Sequence, residues 1–242
     1  GGSRSMMSSG AALVEACDKV AERARQIAAF VLEASASDIE YTRGRFTIAG
    51  TDRSITLTEI ADKMRAGLPL PPEMPQSLDV ALVAASPTSA FPNGCHIAEV
   101  EIDPETGVVE VVRYSMVNDF GNLINPLLAE GQAHGGVVQG IGQALLEATR
   151  YDAEGQLLSG SYMDDAMPRA DNAPMFRFAS HPVPATTHVL GVKGCGEAGC
   201  AGSLPAVMNA VVDALKPYGI RHIDMPATPQ RVWQAIRDAQ KA

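Results

Sequence analysis

The sequence predicts an α+β fold, with antiparallel hairpins and a mixed sheet packed against helices. Three observations lead there. The alternating, β-branched runs His96 to Asp103 and Val108 to Val117 flank Pro104-Glu105-Thr106-Gly107, whose turn chemistry closes a hairpin. Apolar residues recur at helical spacing from Ala11 to Ala34, where Leu13, Val14, Cys17, Val20, Ala24, Ile27, Ala28 and Val31 share one face. Strand-like runs follow one another directly instead of alternating with helices, which disfavours a doubly wound parallel sheet.

In chain order, the long amphipathic helix Ala11 to Ala34 is followed by a short hairpin, Ile39 to Ile48, with Arg43-Gly44-Arg45 at its tip. Thr58 and Glu59 open a brief helix through Met64, the Thr58 hydroxyl serving as its cap. Leu70-Pro71-Pro72-Glu73-Met74-Pro75 is a linker, because three prolines fix φ and remove donors. The organisation expected from this is residues 1–75 as one region and 76–242 as a second. Asp79 to Ala85 opens the second region as a strand, before the hairpin described above.

Leu123 to Glu147 reads as a helix carrying Gly131, Gly135, Gly136, Gly140 and Gly142. Each glycine costs about 1 kcal/mol in a helix interior. So many of them imply that a neighbour or a ligand packs directly on the backbone. A second hairpin spans Tyr151 to Leu158, and a polar loop runs from Met163 to Pro174. The last third reads as strand Met175 to Ala179, strand Thr187 to Leu190, glycine loop Gly191 to Gly202, helix Ser203 to Leu215, strand Arg221 to Ile223 and helix Pro229 to Lys241.

Composition narrows the function classes. Of 242 residues, 46% are hydrophobic and 19% charged, ordinary for a globular protein with a real core. A formal charge of −9 and the lack of any basic run argue against nucleic acid as a partner. Apolar stretches such as Val80 to Ala85 are too short for membrane insertion, and the N-terminus lacks the pattern of a secretion signal. Cys17, Cys95, Cys195 and Cys200 form neither a disulfide framework nor a zinc pattern, so reduced thiols and a cytoplasmic location are expected.

The richest segment is the loop Gly191-Val192-Lys193-Gly194-Cys195-Gly196-Glu197-Ala198-Gly199-Cys200-Ala201-Gly202. Its glycines let backbone N–H groups approach a ligand, and the helix that follows adds positive partial charge suited to an anion. Glu197, if buried there, would be a useful proton acceptor; a surface glutamate in a turn is the competing reading. Gly194 to Gly199 also fits G-x-G-x-x-G, with Asp224 ending a short apolar run later, an alternative nucleotide-binding reading. Too little chain follows for the repeated units that such a domain needs.

Lys193-Gly194-Cys195-Gly196-Glu197 resembles the K-x-x-G-E segment that carries the catalytic glutamate of molybdenum hydroxylases, the family of xanthine dehydrogenases, aldehyde oxidoreductases and aerobic carbon monoxide dehydrogenases. Gly131-Gln132-Ala133-His134-Gly135-Gly136-Val137-Val138-Gln139-Gly140-Ile141-Gly142 is similar to their G-Q-x-x-G-x-x-x-Q-G-x-G segment. Leu158 to Pro168 and Met225 to Trp233 are similar to the carbon monoxide dehydrogenase-like branch. Gly1-Gly2-Ser3-Arg4-Ser5 resembles a G-S-R-S segment that lies against the pterin.

The resemblance implies a molybdenum-cofactor-binding fold, here the C-terminal part of the molybdopterin-binding subunit. It implies oxidation of a small molecule (an aldehyde, an N-heterocycle or CO) with water as the oxygen source. Glu197 would be the base and Gln132 a hydrogen-bond partner of the cofactor. Gly196 would make a backbone contact close to the metal, with Gly2, Ser3, Lys193 and Gln139 as further cofactor-binding residues and no side-chain metal ligand. The implied cofactor is molybdenum-molybdopterin in its cytosine dinucleotide form, shared with the N-terminal half of the subunit. Iron–sulfur clusters and FAD would sit on partner subunits, leaving the isolated chain inactive. A non-catalytic binding or assembly module with the same fold is the alternative. His134 is expected to be a packed or surface histidine, and Trp233 a core anchor.

Overall fold

The computed structural model describes residues 3–83 and 88–241. The chain divides into two compact units, Arg4–Pro87 and Thr88–Ala242, the latter joined by Gly1–Ser3.

In the first unit, a π-helical lead-in (Ser5–Gly10) runs into helix α1 (Ala11–Leu32). The helix stops at Leu32 because Glu33 turns left-handed, at φ 55°, and its N–H caps Ala29 and Phe30. Strands β1 (Ile39–Thr42), β2 (Arg45–Ile48) and β3 (Ser54–Thr56) form an antiparallel sheet in sequence order. Arg43 and Gly44 both have positive φ, the backbone that a two-residue hairpin turn requires. Helix α2 (Leu57–Arg65) is capped by Thr56 and not by Thr58. Thr56 Oγ1 accepts the Glu59 N–H at 3.2 Å while Glu59 accepts the Thr56 N–H at 2.8 Å, a reciprocal box that fixes the helix start. Ile27, Phe46 and Ile60 are fully buried between the sheet and both helices. The expected strand from Asp79 is absent over 79–83, and the rest of it lies outside the described residues. Arg23 instead clamps this stretch through the carbonyls of Ser77 and Asp79.

In the second unit, β4 (Asn93–Ile102) and β5 (Val109–Asp119) form the long antiparallel hairpin, and β6 (Phe176–Ser180) adds to β5 in parallel. The result is a mixed sheet of order β4-β5-β6. Helix α3 (Pro126–Leu145) starts where Asn125 accepts the Leu128 N–H at 3.1 Å, with Pro126 at its first position. Helix α4 (Ala198–Leu215) begins earlier than its sequence pattern indicated, and α5 (Pro229–Ala239) closes the chain behind a Thr228 cap. The Tyr151 to Leu158 hairpin shrinks to one bridge, Tyr151 to Leu157, because Asp152 takes the Glu154 and Gln156 N–H groups into a side-chain turn. Residues 187–190 and 221–223 lack a strand partner and form no ladder.

Four of the five α3 glycines fall into two sets, and Gly142 instead packs against Glu147 and Pro168. Gly136 and Gly140 face α4, where a Cβ on Gly136 would lie 3.0 Å from the Gly199 Cα and one on Gly140 would meet Ser203. The two helices therefore touch backbone to backbone. Gly131 and Gly135 face open space. Tyr114, Met116, Val137, Ile141, Val207, Val211 and Leu215 fill the core between sheet and helices. Helix α4 is, by length and composition alone, long and apolar enough to cross a membrane, longer than any apolar stretch singled out in the sequence. Its buried residues Gly199, Ser203, Val207, Val211 and Leu215 pack in this core.

Candidate functional site

The chemistry-bearing residues converge in the second unit where the glycine loop feeds α4. The loop is tied to the end of β5 residue by residue. Lys193 donates its N–H to Phe120 at 2.8 Å, and Asn122 donates its own to Gly191 at 3.0 Å. The Asn122 side chain reaches Leu190 O at 2.8 Å. Gly121 and Val192 form an antiparallel bridge, and a Cβ on Gly121 would sit 2.1 Å from Gly191 O. Gly121 has φ 63°, so only glycine serves there.

Asp119 anchors this tie. Its Oδ1 accepts the N–H groups of Gly121 and Val183, each at 2.9 Å, and its Oδ2 meets the Lys193 ammonium at 2.5 Å. The two side chains are only 11% and 10% exposed, so the pair is shielded from water. Burial pushes the Asp119 carboxyl up, but the Lys193 hydrogen bond, the two backbone donors and the Lys193 charge outweigh it. Together they bring it from 3.8 to about 2. The stabilisation is therefore complete above about pH 4 and fades as pH falls toward 2. In acid unfolding followed by circular dichroism, the advantage of the native chain over Asp119→Asn is expected at pH 5 and gone by pH 2. An advantage that persists unchanged across that interval contradicts the assignment. The Lys193 ammonium is thus held by Asp119, while its backbone remains part of the glycine loop.

Gln132, on α3, donates from Nε2 to Gly196 O at 3.3 Å, bringing two expected site residues together across 64 positions. Glu197 follows as the N-cap of α4, with its carbonyl accepting the Ala201 N–H at 2.9 Å. No side chain caps this helix, so its first-turn amides keep their positive partial charge for a ligand. Ser3, at φ 56°, lies against the loop: a Cβ on Gly194 would be 2.8 Å from its Oγ. Gly2 lies outside the described residues. Gln139 is exposed on α3, two turns and about 10 Å along the axis from Gln132, and makes no bond to the loop. His134, half-buried, packs edge-on against Phe176 and Phe178 with Glu130 one turn away.

Glu197 is exposed, the surface position that the sequence left open beside a buried one. Four glycine or alanine positions around it, Gly194, Gly196, Ala198 and Gly199, carry too little side chain to cover it. Gln132, Gly131 and Gly135 are open alongside. A groove of about 730 Å³ between Val108–Val112 and Asp171–Pro174 is lined by none of these residues. The candidate site residues therefore lie on an open face and not in that groove. Asp119 escaped the sequence reading; its signal was an aspartate ending an apolar strand directly before Phe120-Gly121.

An amide, a carboxylate, bare glycine backbone and an uncapped helix start share one face, a combination chemically suited to a flat, anionic organic group. Among the described residues, no three His, Cys, Asp or Glu side chains converge. The residues present fit a metal carried on a pterin.

Residues 1–174 match the family model of the molybdopterin cofactor-binding domain. The chain is 35% identical to the carbon monoxide dehydrogenase large chain of Hydrogenophaga pseudoflava, covering 98% of this chain and 29% of that one. It is also 35% identical to the nicotine 6-hydroxylase large subunit of Paenarthrobacter nicotinovorans, with 98% and 29% covered. Its fold matches reconstituted CO dehydrogenase from Oligotropha carboxidovorans with a TM-score of 0.89 and 32% identity, over 98% of this chain and 30% of that one. The chain belongs to the molybdopterin cofactor-binding domain family, and spans about 30% of the length of these relatives.

Proposed function

We propose that this chain is the C-terminal part of the molybdopterin-binding subunit of a molybdenum-dependent hydroxylase or dehydrogenase. The observation that supports this is the contact of Gln132 with Gly196, the residue before exposed Glu197, beside the open Gly131 and Gly135 positions of α3. The cofactor, when bound, supplies the two-electron oxidation. Glu197 accepts a proton from the water-derived oxygen at its carboxylate. Gln132 holds the loop through Nε2 and presents its amide oxygen to the cofactor, with Gly196 as the adjoining backbone contact. Ser3 lines the pterin edge, and Gln139 supports the far end of the same α3 face. Lys193 contributes through the loop backbone.

The balance is substrate plus water giving an oxygenated product, two protons and two electrons. The electrons leave to iron–sulfur and flavin subunits, and the cofactor takes its cytosine dinucleotide form. The N-terminal half of the subunit completes the cradle in the cytoplasm. The substrate is a small aldehyde, an N-heterocycle or CO. The relatives' names span carbon monoxide and nicotine, so the shared C-terminal part leaves substrate choice to the remainder of the subunit.

Turnover of an aldehyde or N-heterocycle by the assembled enzyme in H₂¹⁸O tests this reading. One ¹⁸O atom per product molecule is expected. Oxygen drawn from O₂, or no turnover of any of these substrates by the assembled enzyme, would overturn it.

A further inference from the structure

The mechanism uses the Glu197 carboxylate but leaves open what holds it in place, since Glu197 itself is exposed and makes no side-chain cap. The shielded pair of Asp119 and Lys193 is the strongest polar contact reaching its loop. We infer that Asp119 is a positioning residue for the catalytic base, acting through Lys193 on the backbone that carries Glu197. This rests on the reading of Glu197 as the base.

Asp119 is suited to the task because it joins three segments with one carboxylate. Its own position ends β5, Oδ1 fixes Gly121 and Val183, and Oδ2 fixes Lys193. Phe120, next to it, accepts the Lys193 N–H, so Lys193 is held at both main chain and side chain. Four residues further on stands Glu197, with small residues between that cannot stiffen the loop alone. Cys195 sits within that interval, half-buried against the core, and its thiol is pushed up by burial. It is a built-in reporter of loop packing.

The test uses Asp119→Asn, which retains an acceptor for Gly121 and Val183, and Lys193→Met. The double variant Asp119→Asn/Lys193→Met removes both charges, so no unpaired charge is left buried if a single variant folds poorly. Iodoacetamide labelling of each cysteine is followed by peptide mass spectrometry. Loss of one charge-assisted hydrogen bond is expected to raise Cys195 labelling about ten-fold in each variant and no further in the double. Exposed Cys95 and the α4 residue Cys200 are expected to keep their rates. An unchanged Cys195 rate, or a common rise at all cysteines, would overturn the inference.

In the assembled enzyme, Asp119→Asn is expected to lower kcat with KM unchanged, and to add nothing to Glu197→Gln. Raised Cys195 labelling with unchanged kcat would overturn the link to the base. Failure of the base reading is seen separately, as undiminished turnover of Glu197→Gln alone.

Discussion

Glu197→Gln in the assembled enzyme is expected to lower kcat by about 10²- to 10⁴-fold, the range that a positioned general base supplies. The substitution keeps shape and hydrogen-bonding capacity but removes proton acceptance. The carbonyl of residue 197 still receives the Ala201 N–H, so the start of α4 is preserved. The side chain is exposed and makes no cap, so the fold loses nothing. Thermal stability and bound molybdenum are accordingly expected to match the native enzyme. A kcat within a few-fold of native, read in the same preparations, would remove Glu197 from the mechanism.

Gly199→Leu is expected to destabilise the second unit by about 3 kcal/mol or more, at the upper end of overpacking costs. A Cβ there would lie 2.4 Å from Ala133 O, 2.9 Å from Val137 N and 3.0 Å from Gly136 Cα. All three are main-chain atoms of α3, which cannot rotate away as a side-chain tip could. Separating the helices would also open the core around Val137 and Val207, both fully buried. Gly131→Ala, on the same helix pair but facing open space, is the control. It is expected to leave the unfolding midpoint in urea unchanged or slightly raised. Equal midpoints for the two variants would mean that α3 and α4 do not meet backbone to backbone.

Local pattern made much of this fold legible. The α1 periodicity, the Arg43-Gly44 turn and the β4–β5 hairpin depend on residues close in sequence, and each formed. Boundaries shifted where a side chain outside the pattern took over. Thr56 replaced Thr58 as a cap because only it has Glu59 three residues on to complete the box. The start of α4 was hidden by Gly199 and Gly202, which read as loop but lie inside the helix because α3 and His96 crowd against them.

Long-range pairing was not legible. Nothing local in Phe176–Ser180 says that it runs parallel to β5, and the isolated runs at 187–190 and 221–223 found no partner strand. At the site, the motif residues Gln132, Gly196 and Glu197 were nameable in advance, but their contact spans 64 positions and needed coordinates. Asp119 lies 74 positions from Lys193, and burial of an ion pair leaves no periodic trace in sequence. Whether Glu197 is buried or exposed was not legible either, because small neighbours free a backbone for a ligand and also leave a side chain uncovered.

If the bare α3 face beside Gln132 receives the cofactor, Gly135→Leu blocks it. A Cβ at Gly135 meets nothing within 4 Å, and leucine is the better helix former by roughly 0.5–1 kcal/mol, so folding is not harmed. Molybdenum by elemental analysis and pterin by fluorescence, per assembled subunit, are the readout. The account expects both to fall to a small fraction of native at undiminished thermal stability. Native molybdenum and pterin content in the leucine variant would contradict it.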